Sequence, residues 1–197
     1  MTRVLSLTSL LVLGAAAFAA DPPKVSDLKL YDQFETVNSV ADHKGKVLIL
    51  VYGDRNGIDA SRELGTKLHV LFHPTADGKS PKEAKAAPVD PLPGVEKGKA
   101  SPDVAVVPVA CCGKVPGVVQ GLVRAGLKKD AADVPVWLDF GTTMADTFGM
   151  RDGEPNVVLL DADGRLRLKV NGTPDKEAMQ KVLQTAQNLR AEAAGLK

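Results

Sequence analysis

The stretch Val47–Asp59, "VLILVYGDRNGID", decides how the rest of the chain is read. Its first half is an unbroken apolar run with no polar alternation, the pattern of a central strand covered on both faces. "GDRNG" then supplies a turn. Beyond it Leu64, Leu68 and Leu71 recur at helical spacing, which predicts a helix from Asn56 to about Leu71. Asn56 or Asp59 can cap its start, and Pro74 ends it, because the residue before a proline avoids helical geometry.

Working outward, "VSDLKLYDQF" has weak strand character, with Leu28 and Leu30 alternating with polar residues. "DVAVVPVACC" predicts a second buried strand, with Pro108 marking an irregular or edge position near its end. "VPGVVQGLVRAGL" predicts a short helix, "VPVWLD" a third strand and "TTMADTFGM" a short helix or turn. "NVVLLD", "ADG" and "RLRLKV" together read as a hairpin. "TPDKEAMQKVLQTAQNLRAEA" closes the chain as an amphipathic helix, with Thr173 as N-cap and Pro174 at its first position. Between the first helix and the second strand, residues 74–102 are rich in Pro, Lys, Ala, Gly and Asp. They read as a solvated, flexible insertion. Strands alternating with helices, then a hairpin and a last helix, imply an α/β domain around a mixed sheet.

The first residues, "MTRVLSLTSLLVLGAAAFAA", read as a secretory signal peptide over 1–19. Arg3 precedes an apolar run too short for a comfortable membrane span, and Ala17-Phe18-Ala19 has the small-x-small pattern of a cleavage site. Residues 20–24 form a stiff leader, and 25–197 a single domain. The expected compartment is therefore exported, periplasmic or secreted. The sequence is 44% hydrophobic and 25% charged, with a formal net charge of +1. That balance gives no electrostatic reason to expect nucleic acid or an anionic membrane as partner. No later segment is apolar for long enough to cross a membrane.

The order of these elements, with three local signatures, resembles the thioredoxin-like superfamily in its exported redoxin and TlpA-like branch. "HKGKVLILVYGD" looks like the family's first core strand. "GMRDGEPNVVLLDADGRL" looks like the loop, proline, strand and turn that follow the third strand, and "VNGTPDKEAMQKVL" like the start of the last helix. The resemblance covers roughly residues 25–192. It implies a cis proline at Pro155, preceded by Glu154. It also implies two cysteines at the strand-to-helix junction, and there the sequence departs from the pattern: the four positions read Asn56, Gly57, Ile58, Asp59. A redox cysteine needs a thiolate stabilised at a helix N-terminus. Asn56 and Asp59 keep a polar helix start and drop the nucleophile. The plain reading is two helix caps. The sharper one is a polar binding pocket built by Arg55, Asn56, Asp59 and Glu154 beside Pro155. YtfJ-type periplasmic proteins look similar here.

Cys111 and Cys112 are the only cysteines. They fall where the second strand ends, at the same end of the sheet as the junction, where open α/β sheets commonly hold ligands. Adjacent Cα atoms lie about 3.8 Å apart, below the usual disulfide range of roughly 4.4–6.8 Å, so a bridge between them would be strained and easily reduced. They can be buried small hydrophobes, a catalytic thiol pair, or ligands for a soft metal such as copper or zinc. In the last case "HVLFH" offers His69 and His73, four apart on one helix face, to complete a set with Cys111 and Cys112. Otherwise these histidines simply end a helix, where positive charge is favourable. Nothing in the sequence requires a resident cofactor. Three roles follow: a binding or accessory module for an unknown protein or small-molecule partner, a thiol redox protein, or a soft-metal carrier.

Overall fold

The computed structural model describes residues 25–196. The expected signal peptide and leader, residues 1–24, lie outside the described residues. Seven strands form one mixed sheet: β1 (Lys29–Asp32), β2 (Val37–Ser39), β3 (Val47–Gly53), β4 (Val104–Cys111), β5 (Trp137–Asp139), β6 (Asn156–Leu160) and β7 (Leu166–Asn171), in the order β2-β1-β5-β4-β3-β6-β7. β3, β4 and β5 run parallel, and β6 and β7 pair antiparallel as the predicted hairpin. β1 and β2 form a second antiparallel hairpin against β5, a pairing the weak alternation at Leu28 and Leu30 did not announce.

The unbroken apolar run does what its pattern requires: all seven residues of β3 are buried. Val47, Ile49 and Val51 face α1 (Ile58–Phe72) and α5 (Lys176–Ala193), meeting Leu64, Leu68, Phe72, Val182, Ala186 and Leu189. Leu48, Leu50 and Tyr52 face the other way, toward Trp137 and toward Met144 and Phe148 of α4 (Thr143–Phe148). α3 (Gly117–Asp130) lies on the α1 side, where Leu127 packs near Ala110 and Leu138. Pro108 marks a boundary in β4. Of the residues of β4, only Val109–Cys111 pair with β5, so residues 104–108 have a strand on one side alone.

Two helix starts differ from expectation. Asp175, not Thr173, caps α5 by accepting the Ala178 N–H at 2.8 Å, which moves Pro174 outside the helix. Gly57 precedes α1 with no side-chain cap of its own.

The 74–102 segment is tied down more firmly than its composition predicts. It contains a 3₁₀ turn at Pro74–Ala76 and a short helix, α2 (Pro81–Lys85), capped by a Ser80–Glu83 capping box. The Asp90 N–H donates to the Phe72 carbonyl at 2.7 Å. Arg190 of α5, only 1% exposed, donates to the carbonyls of Pro102 and Asp90. His73 precedes the segment and Asp103 follows it, and His73 Nε2 meets Asp103 Oδ1 at 3.0 Å. Composition records the lack of large apolar side chains, but it cannot record hydrogen bonds supplied by α1 and α5.

Candidate functional site

The strand-to-helix junction after β3 is organised by a residue the sequence reading passed over. One Asp54 oxygen accepts the N–H groups of Asn56 at 3.0 Å and Gly57 at 2.9 Å, and its other oxygen accepts Gly153 N–H at 3.1 Å. A carboxylate at a helix start satisfies orphan amides and complements the helix dipole. Here it also ties the helix to the loop before β6. That loop lies so close that a Cβ on Gly57 would stand 2.8 Å from the Glu154 backbone N and O. The signal was present in the sequence: an aspartate two and three residues ahead of "NG" is an Asx-turn pattern.

The five residues proposed for a polar pocket do not converge. Arg55 is exposed and lines a cleft with the cysteines. Asn56 lies beside Gly153. Asp59 points along the outer face of α1, 3.6 Å from Arg62. The Glu154 carboxylate accepts the Thr173 N–H at 2.7 Å and sits 3.6 Å from Arg151, which holds it below the usual carboxylate range. Pro155 is buried, and the Glu154–Pro155 peptide is trans: the described residues contain no cis bond. Trans is the favoured form of an X-Pro bond, and Gly153, at φ 74°, supplies the reversal of the chain.

Cys111 and Cys112 straddle the end of β4. Cys111 packs with the cluster on the α4 side, as does Met150, and Cys112 packs with the cluster on the α3 side. Both are free and half-buried. The Cys112 thiol donates to the Ala110 carbonyl at 3.4 Å. The two residues open into one cleft of about 270 Å³ whose walls include Asp54, Arg55, Asp139 and Met150. Asp139 is 2% exposed, and its carboxylate accepts the N–H groups of Gly141 and Met144. Burial first, and then the Asp139 carboxylate, push the Cys111 thiol up to about 12 and the Cys112 thiol up to about 11. Both are therefore protonated at neutral pH, the opposite of an activated redox cysteine.

The four-residue metal set of Cys111, Cys112, His69 and His73 is not assembled. His69 and His73 belong to the far end of α1, beside Asp103, which precedes β4. Cys111 ends that strand, roughly 25 Å away. Both ring nitrogens of His73 and Nε2 of His69 are already engaged. His73 Nδ1 lies 3.1 Å from the His69 carbonyl, and His69 Nε2 lies 2.9 Å from the Ala84 carbonyl. Their rings stack with centroids 4.3 Å apart. Among the described residues, no three His, Cys, Asp or Glu side chains group as a metal site. Helical spacing put the two histidines on one face correctly; it could not say which end of the sheet that face serves.

No family profile matches the sequence, and no curated protein matches it. Solved structures do. The exposed lipoprotein thioredoxin Etrx1 of Streptococcus pneumoniae strain TIGR4 superposes with a TM-score of 0.50 at 18% identity, covering 80% of this chain and 97% of that one. A Chlorobium tepidum protein assigned as the thiol:disulfide interchange protein DsbE superposes with a TM-score of 0.51 at 15% identity, covering 86% and 97%. At such identities the likeness concerns architecture: the chain has the thioredoxin-like fold. Among the described residues no helix is long and apolar enough to cross a membrane.

Proposed function

We propose that this chain is an exported thioredoxin-fold protein that does not carry out two-cysteine exchange at the usual junction and acts as a binding or accessory module. The observation that carries the reading is the occupancy of that junction: Asn56 and Asp59 stand at the positions where the family resemblance expects cysteines, and Asp54 takes the amides of Asn56 and Gly57 that would stabilise a thiolate. The cleft at the end of β4 is the contact point for the partner, because it brings Arg55 together with Cys111 and Cys112. Export rests on the signal-peptide pattern of residues 1–19.

Fold cannot assign function by itself, so the test is chemical. In an insulin-reduction assay with dithiothreitol, the chain lacking residues 1–19 is expected to match the rate without protein. Catalysis that disappears in the Cys111→Ser, Cys112→Ser double variant would replace this reading with a thiol oxidoreductase. The intact mass of the protein recovered after expression with its leader checks export: a chain beginning at Ala20 is expected.

A further inference from the structure

Three sulfur-bearing residues line the cleft at the end of β4: Cys111, Cys112 and Met150. They come from two elements of the fold. The cysteines end a central strand, and Met150 follows α4 on the loop that leads to β6. We propose that this cleft is a site for a soft monovalent cation of the Cu(I) type, held by the sulfurs of Cys111 and Cys112 with the Met150 thioether as a weaker third donor. The assignment deepens the reading of the chain as a binding module and rests on it.

The donor set selects the ion. Zinc needs four nitrogen, oxygen or thiolate ligands in a tetrahedron. No histidine lines the cleft, and the two Asp139 oxygens already accept backbone amides. Thiolate and thioether donors without nitrogen or oxygen partners suit Cu(I), which needs few ligands and no fixed polyhedron. Charge balance fits as well. Binding replaces two S–H protons by one monovalent cation, so the bound set carries one net negative charge and two protons leave to solvent. Arg55, an exposed residue, lines the same cleft.

The probe is Cu(I) held by bicinchoninate in an anaerobic titration of the chain lacking residues 1–19, with far-ultraviolet circular dichroism to confirm folding. One Cu(I) per chain is expected to leave the indicator. Cys111→Ser and Cys112→Ser each lower affinity by about 100-fold, and Met150→Leu lowers it by about tenfold. His69→Gln leaves it unchanged. Failure to withdraw Cu(I), retention by the double cysteine variant, or equal binding by Met150→Leu would overturn the site. Should the cysteine variants unfold, the Met150 result decides. The insulin assay separates the two readings. A chain that neither reduces insulin nor takes Cu(I) loses only this site, whereas one that reduces insulin loses the binding-module reading itself.

Discussion

β4 begins beside Asp103 and ends at Cys111, and the polar chemistry at its two ends is spent differently. At the first end a His–Asp pair, a lysine and a buried arginine close the base of the 74–102 segment. Lys46 Nζ lies 3.1 Å from Asp103 Oδ2, and Arg190 reaches carbonyls at Asp90 and Pro102. His73, Lys46 and Arg190 each find partners within the chain, as a structural clasp requires. At the second end the Asp54 and Asp139 carboxylates accept backbone amides, while Cys111, Cys112 and Arg55 line a cleft. Residues with catalytic reputations, His69 and His73, turn out to be structural. The free chemistry lies with a pair of protonated thiols. Which residue types are present says less than whether their hydrogen-bonding capacity is already used.

The strongest way to break this comparison is Arg190→Leu. It leaves the Asp90 and Pro102 carbonyls without their buried donor, and a cost of about 3 kcal/mol is expected in urea unfolding. Proteolysis should then begin within 74–102. A loss below about 1 kcal/mol would mean that the segment is not clasped in this way. At the other end Asp54→Ala removes the acceptor of three amides, one of them on a different loop, and about 2 kcal/mol is expected by the same measurement. Little of that loss should appear as new thiol reactivity, because burial and Asp139 govern Cys111 more than Asp54 does.

The architecture was legible because β3 and the β6–β7 hairpin announce themselves through continuous or alternating apolar runs, and each run dictates how many faces are covered. What the sequence concealed were contacts between distant segments. Arg190 reads as one more cation on an amphipathic helix, yet its partners lie 88 and 100 residues away. His73 and Asp103 are 30 residues apart, and nothing local couples them. The site divides the same way. The position of Cys111 and Cys112 at the strand end followed from strand length. The division of Arg55, Asn56, Asp59 and Glu154 among different surroundings depended on how the β6 loop meets α1, which periodicity does not encode.

Asp103→Asn sharpens the clasp end through pH. The hydrogen bond from His73, followed by Lys46, holds the Asp103 carboxyl well below its ordinary range. A carboxylate whose folded value is depressed adds stability above its unfolded value of about 3.9 and loses it as pH falls below that point. The variant should therefore cost about 1 kcal/mol at pH 7, a figure kept small because Asp103 is 37% exposed. The gap between variant and parent should narrow as pH drops below 4. A gap that widens on acidification would mean that Asp103 is not the charged partner.

The smallest expected effects are at Asn56 and Asp59, and they test the junction most directly. If the side chains at these positions hold the start of α1, Asn56→Ala and Asp59→Ala should each cost about as much as Asp54→Ala. The geometry argues otherwise. Asn56 contributes its backbone N–H to Asp54, an interaction that alanine keeps, and Gly57 rather than Asn56 precedes the helix. Asp59 is exposed, and its one ion pair is a 3.6 Å contact with Arg62, itself exposed. Losing that pair and some favourable dipole energy is partly offset by the better helix propensity of alanine. Each substitution should therefore fall within about 0.5 kcal/mol of the parent in urea unfolding. Two near-neutral substitutions beside a costly Asp54→Ala would place the stability of the junction in Asp54, leaving Asn56 and Asp59 free to vary without loss of the fold.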